Sequence, residues 1–106
     1  MGIFDLFKMP DINQGVKNYL STPGAVLLDV RTPGEYKGGH IPGSKNVPLN
    51  NLEKVSSVAR SKDAEVYVYC QSGARSRQAA SMLQRMGYNN VNNIGGIAAY
   101  SGKVVR

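Results

Sequence analysis

The chain has 106 residues and carries a net charge of +6, from 13 lysine and arginine residues against 7 aspartate and glutamate residues. Its length suits one folded domain over residues 1–106, and a hydrophobic content of 42% excludes an intrinsically disordered chain. We expect neither membrane insertion nor nucleic-acid binding, because no apolar run is long enough to span a bilayer and the basic residues are dispersed.

The first third of the chain predicts a helix, a buried strand and a second, short helix. An apolar arm over residues 1–10 precedes a helical pattern over residues 12–20. The continuous apolar run at 25–30 predicts a strand that is covered on both faces, as in a parallel sheet. Thr32 and Glu35 then have the spacing of a capping box, which marks the start of the next helix.

The rest of the chain repeats this alternation of strands and helices. We predict a strand at 45–47, a helix capped by Asn50 or Asn51, a strand at 65–69, a helix at 76–86, a strand at 91–94 and a helical turn at 97–100. Strands that alternate with helices indicate an α/β fold with parallel pairing. Ligands of such folds bind beyond the carboxyl ends of the strands.

Cys70, the only cysteine, follows the 65–69 strand and opens a glycine-containing loop that leads into a helix. The backbone N–H groups of such a turn, the helix dipole and Arg75 all favour negative charge. They should therefore lower the thiol pKa and help to hold an anionic substrate. The alternative is that Cys70 is a small buried hydrophobic residue, but the loop and its arginine favour a nucleophile.

The residues that follow the cysteine suit an anion-binding loop. Gly73 allows the loop to curl around a sulfur atom without a clash from a Cβ. Ser72 and Ser76 carry hydroxyl donors, and Ser76 also suits a helix cap. For Arg75 two interpretations stay open: it orients the substrate or the loop, or it forms a salt bridge with Asp29 that only shapes the loop.

Four other charged or titratable residues are better explained by structural roles. Asp29 and Arg31 lie in a segment where buried polar side chains need partners, and Glu35 has its capping role. His40 is expected to hydrogen-bond to backbone within its turn rather than to form a dyad with the cysteine. One histidine and one cysteine do not make a zinc site, and no glycine-rich phosphate motif follows a strand. We therefore expect neither a metal nor a cofactor.

Two segments resemble the rhodanese family, in particular its small single-domain sulfurtransferases. Residues 28–36 (LDVRTPGEY) and 38–44 (GGHIPGS) resemble the first signature of the family, and residues 69–76 (YCQSGARS) resemble its active-site loop. Gly95-Gly96 with Tyr100 is similar to the closing segment, where a tryptophan is commoner. The resemblance covers nearly the whole chain.

This resemblance implies a three-layer α/β/α fold around a mainly parallel sheet of about five short strands. It also implies a double displacement, in which Cys70 takes a sulfane sulfur from a small anionic donor such as thiosulfate and holds it as a persulfide. A thiol or a protein then accepts the sulfur, or cyanide in an assay. The implied persulfide cradle comprises Gln71, Ser72, Gly73, Ala74 and Arg75, with support from Ser76, Asp29 and Arg31. A monomer or weak homodimer is expected.

Loop length and one departure from the family pattern refine this expectation. The six residues from Cys70 to Arg75 match a sulfurtransferase, whereas related phosphatases and arsenate reductases use a longer loop. Many small members carry arginine where Gln71 stands, so thiosulfate should be attracted only weakly. Three alternatives stay open: a sulfur-relay or binding module with little turnover, a phosphatase or arsenate reductase, and a peroxide-sensing thiol. One cysteine also favours a reducing compartment, and we expect a cytoplasmic protein.

Overall fold

A computed structural model describes residues 10–106, so the predicted arm at 1–10 lies outside the described residues apart from Pro10. No helix within residues 10–106 is both long enough and apolar enough to cross a membrane. In chain order, the elements are α1 (Ile12–Leu20), β1 (Val26–Asp29), α2 (Pro33–Gly38), β2 (Lys45–Asn46), a 3-10 helix (Leu49–Ser57), β3 (Glu65–Cys70), α3 (Ala74–Arg85), β4 (Asn90–Gly96) and a 3-10 helix (Ile97–Ala99).

The strands form one parallel sheet in the order β2-β1-β3-β4, which confirms the predicted α/β fold with parallel pairing. The sheet of residues 10–106 has four strands, so the expectation of about five was too high. The sequence itself contains only four strand-like runs in this range, and each of them forms a strand. The central strand β3 pairs with β1 on one side and with β4 on the other.

Two apolar clusters cover the two faces of the sheet and produce the three layers. Side chains alternate between the faces along a strand, so Val66, Val68 and Cys70 point to one side of β3. They join the larger cluster, which also includes Leu83 of α3. Tyr67 and Tyr69 belong to the second cluster, on the side of α1.

Local sequence signals explain how the helices begin. The capping box at the start of α2 is confirmed: Thr32 Oγ1 accepts from the Glu35 N–H at 3.2 Å, and Glu35 Oε1 accepts from the Thr32 N–H at 3.0 Å. The predicted cap at Asn50 or Asn51 is wrong for the start of this segment. The segment is a 3-10 helix that begins at Leu49 directly after Pro48, and it kinks at Asn51, where φ is −131°. Pro48 is in an extended conformation directly before the helix. The helix therefore begins at Leu49, earlier in the chain than predicted.

Candidate active site

Cys70 is the last residue of the central strand, and its side chain has no exposed surface. The Cys70 loop (residues 70–75) turns directly from β3 into α3. Gly73 has a φ of +104°, a left-handed conformation that glycine adopts without a Cβ clash. In this conformation the Gly73 N–H donates to Cys70 Sγ at 3.0 Å. The sulfur thus faces the loop backbone at the carboxyl end of the sheet, as the sequence predicts.

Ser76, in the first turn of α3, is the nearest hydroxyl to the sulfur. Its Oγ lies 3.6 Å from Cys70 Sγ, and it also lies 2.7 Å from Oδ1 of Asn93 and 3.0 Å from the Gly73 carbonyl oxygen. Burial raises the pKa of Cys70, but its side-chain interaction with Ser76 and the hydrogen bonds from backbone N–H groups of the loop outweigh that effect. The pKa of the thiol is therefore lower than its ordinary value, which favours the nucleophilic thiolate.

The end of β4 holds the loop from the other side. Gly96 is the partner of Cys70 in the sheet register. A Cβ at Gly96 would lie 2.4 Å from the Gln71 carbonyl oxygen and 2.6 Å from Ser72 Cα. The Ala98 N–H also donates to the Gln71 carbonyl at 3.1 Å. Only a glycine allows this approach, so the predicted closing segment fixes the backbone of the loop.

Arg31 and Asp29 form a buried ion pair beneath the loop. Arg31 Nη2 lies 2.7 Å from Asp29 Oδ2, and the Arg31 Nε donates to both carboxylate oxygens. Burial lowers the pKa of Arg31, but Asp29 raises it by more, and the guanidinium stays charged. Its remaining donors bind the Gly39 carbonyl at 2.7 Å and Gln71 Oε1 at 3.2 Å. Arg31 therefore orients the Gln71 side chain at the start of the loop.

Arg75 forms its ion pair with Glu35 and not with Asp29, which corrects one of the two predicted interpretations. The Arg75 guanidinium binds both Glu35 carboxylate oxygens, at 2.7 and 2.9 Å. Asp29 is already bound by Arg31, two residues along the chain, so its carboxylate is occupied. The hydrogen bonds from Arg75, followed by those from Thr32, lower the pKa of Glu35 to about 2.

The other residues predicted from the sequence, all within residues 10–106, have side chains that form no hydrogen bond with Cys70. Ser72 is exposed, and its backbone N–H contributes to the lowered pKa of Cys70. Ala74 is the first residue of α3 and is exposed. His40 Nδ1 lies 2.8 Å from the Tyr36 carbonyl oxygen, which agrees with its expected structural role. No group of three or more histidine, cysteine, aspartate or glutamate residues that would hold a metal occurs within residues 10–106.

The sequence analysis missed two contributors to the site. Glu35 was assigned only to the helix cap, although it also neutralises Arg75, which is 40 positions later. Asn93 was not singled out, although its Oδ1 lies 2.7 Å from the Ser76 hydroxyl and accepts from the Gly95 N–H. No spacing rule connects residues so far apart, so these contacts depend on the sheet order.

These features define a class: an α/β protein with a single cysteine at the end of its central strand, in a short loop that leads into a helix. A family model described as "Rhodanese-like domain" matches residues 13–103. The chain belongs to this family.

Several bacterial proteins are similar in sequence. Thiosulfate sulfurtransferase PspE of Escherichia coli is 39% identical over 71 residues, which are 66% of this chain and 68% of PspE. A sulfurtransferase of Allochromatium vinosum is 40% identical over 82 residues, with 76% and 75% coverage. The Bacillus subtilis protein YqhL is 42% identical over 81 residues, which are 76% of this chain and 64% of the length of YqhL.

Solved structures support the same fold. A rhodanese with anions from E. coli superposes with a TM-score of 0.73 at 35% identity, covering 77% of this chain and 98% of that chain. The Alr3790 protein from Anabaena superposes with a TM-score of 0.78 at 29% identity, covering 88% and 79%.

Proposed function

We propose that this protein is a sulfurtransferase that moves a sulfane sulfur, from thiosulfate or a persulfide donor, to a thiophilic acceptor through a persulfide on Cys70. The observation that carries the proposal is the environment of Sγ. The sulfur is buried, its pKa is lowered, and the Gly73 N–H points at it from 3.0 Å. Relatives named as sulfurtransferases support the same chemistry.

In the first half-reaction, the Cys70 thiolate attacks the outer sulfur of the donor. The S–S bond of the donor breaks, and sulfite or a thiolate leaves with the bonding electron pair. Cys70 then carries a persulfide with one negative charge. The loop N–H groups stabilise this charge in the way that an oxyanion hole stabilises an oxyanion, an effect worth roughly 3–4 kcal/mol for one donor.

In the second half-reaction, the acceptor attacks the outer sulfur of the persulfide and the Cys70 thiolate leaves. The N–H groups that favour the thiolate make it a good leaving group in this step. Arg75 contributes mainly by shaping the loop, because its Nη1 and Nη2 donate hydrogen bonds to the Glu35 carboxylate. The acceptor must attack the outer sulfur of the persulfide, and this requirement is our only basis for naming a thiol or a protein as the acceptor.

The test is an intact-mass measurement on reduced protein before and after thiosulfate or a persulfide donor, beside Cys70→Ser. A gain of one sulfur atom in the unmodified protein alone is expected. If no donor adds sulfur while Cys70 is still alkylated by iodoacetamide, the proposal is wrong.

A sulfur-relay module is the second candidate. Cys70 has no exposed surface, which would shield a bound sulfur from cyanide, and the Bacillus subtilis protein YrkF, named as a sulfur carrier, is 38% identical over 78 residues. A relay would load one sulfur and release it to cyanide slowly, whereas an enzyme would turn over. The cytoplasmic location and the oligomeric state, a monomer or a weak homodimer, stay predictions.

A further inference from the structure

Two arginines of the candidate site are each paired with a carboxylate. Arg31 is paired with Asp29 at 2.7 Å, and Arg75 is paired with Glu35 at 2.7 and 2.9 Å. These four residues together contribute no net charge. Inorganic thiosulfate is a dianion, and its attraction to a site depends strongly on uncompensated positive charge.

The first loop residue after the cysteine adds no charge either. Gln71 is exposed and neutral, and its Oε1 accepts from Arg31 Nη1 at 3.2 Å. Because the amide oxygen is hydrogen-bonded to Arg31, the amide NH₂ is the group of this side chain that can contact a ligand. An amide can donate hydrogen bonds to one oxygen or sulfur atom, but it does not compensate a second negative charge.

A cleft of about 490 Å³ is lined by Arg31 and by Arg75 of the Cys70 loop. Its apolar lining includes Val30, which directly follows β1, Leu49 of the first 3-10 helix and Met82 of α3. Pockets that hold small organic molecules typically have volumes of about 300–1,000 Å³ and mostly apolar walls. A cleft of this size and lining suits a small organic group.

We propose that the sulfur donor is a small organic sulfane-sulfur compound, with one negative charge at its reacting end and an apolar group seated in this cleft. Glu35 is then a specificity-determining residue, because it removes the charge with which Arg75 would attract a dianion. This inference rests on the proposed function and names the donor class for the same cysteine.

An arylthiosulfonate, R–SO₂–S⁻, is the probe that matches this class. The Cys70 thiolate attacks its terminal sulfur, and the bond between that sulfur and the sulfonyl sulfur breaks. The sulfinate R–SO₂⁻ leaves with the electron pair, and Cys70 keeps a persulfide with one negative charge. Atoms and charges balance as they do in the reaction with thiosulfate. The arylthiosulfonate differs from thiosulfate in carrying one negative charge instead of two and in having an apolar group.

The experiment measures the second-order rate constant for loading of Cys70, by intact mass, with benzenethiosulfonate and with thiosulfate. We expect the monoanion to load at least about tenfold faster, because Arg31 and Arg75 are both paired with carboxylates and the apolar group of the donor gains contacts in the cleft. Glu35→Gln keeps the capping box, since glutamine also serves at this position. It should raise the ratio of the thiosulfate constant to the benzenethiosulfonate constant about twofold to fivefold, the size of one screened surface charge.

Two matched controls separate local from general effects. Glu53→Gln removes one exposed carboxylate outside the site and should change neither rate constant. Gln78→Trp fills the cleft from an exposed position on α3 and should lower the benzenethiosulfonate constant more than the thiosulfate constant. Gln84→Trp places the same side chain at another exposed position of α3 and should alter neither.

The outcomes distinguish this inference from the function on which it rests. Faster loading from thiosulfate, or a ratio of the two constants that does not change in Glu35→Gln, overturns the donor class while the sulfurtransferase proposal stands. Should Glu35→Gln fail to fold, the ratio of the two donors in the unmodified protein and the response to Gln78→Trp decide the question. Absence of loading from every donor overturns the function itself.

Discussion

Arg75 and Glu35 are 40 positions apart in the chain, yet the guanidinium of one binds both carboxylate oxygens of the other at 2.7 and 2.9 Å. Arg75 belongs to the Cys70 loop, and Glu35 belongs to the first turn of α2. Glu35 also accepts from the Thr32 N–H, so one carboxylate caps a helix and fixes the loop. This ion pair connects the two sequence segments that resemble the family signatures.

The ion pair predicts how acid affects stability. The folded-state pKa of Glu35 is about 2, below the unfolded value of about 4.3. Its contribution to the free energy of unfolding is therefore fully present above about pH 4.3, and it is lost as the pH falls towards 2. The two side chains are 36% and 33% exposed, so solvent screening limits the contribution to about 0.5 kcal/mol.

The measurement is thermal unfolding of the unmodified protein and of Glu35→Gln between pH 2 and pH 7. The difference in melting temperature should be largest near neutral pH and vanish near pH 2. A difference that is independent of pH would show that the carboxylate charge is not the cause.

Ser76→Ala should raise the pKa of Cys70. The variant removes the hydroxyl that is 3.6 Å from Sγ, and hydrogen bonds from Ser76 are among the influences that lower this pKa. Iodoacetamide alkylation followed over pH should show a midpoint at higher pH than in the unmodified protein. Ser72→Ala is the control, because Ser72 contributes through its backbone N–H, and its midpoint should stay in place. Equal midpoints for all three proteins would refute the role of the hydroxyl.

Gly96→Ala should distort the Cys70 loop. The new Cβ would lie 2.4 Å from the Gln71 carbonyl oxygen, a clash with backbone that costs roughly 1–3 kcal/mol to relieve. We expect a lower melting temperature and a loss of sulfur loading on Cys70. In Gly34→Ala the added methyl group meets nothing within 4 Å, and its position in α2 predicts a gain of about 0.5–1 kcal/mol. Normal loading in Gly96→Ala would contradict the close fit.

Gln71→Arg should lower the KM for thiosulfate. The variant adds a positive charge at the start of the loop, where the existing arginines are already paired with carboxylates. An uncompensated charge at this position should change the KM about twofold to fivefold. Gln84→Arg adds the same charge at an exposed position further along α3 and should have no effect. An unchanged KM in Gln71→Arg would contradict this reasoning.

Local signals in the sequence predicted much of this architecture. The apolar runs gave the four strands of the described residues, and the Thr32 and Glu35 spacing gave the start of α2, because both depend on near neighbours. The position of Cys70 at a strand end followed from the same patterns. The partner of Arg75 could not be predicted, since two carboxylates were available and the choice depends on how α2 packs beside the loop. The kink at Asn51 likewise depends on packing.

Cys70 shares a face of β3 with Val66 and Val68 and belongs to the larger apolar cluster. The sulfur that we propose as the nucleophile is therefore also part of the apolar core, where added volume displaces neighbouring side chains. Attachment of a sulfur to Cys70, as we propose, should change the packing of α3 against β3. The folding stability of the protein should consequently report the chemical state of its cysteine, so a melting curve can follow sulfur occupancy without any assay for the acceptor.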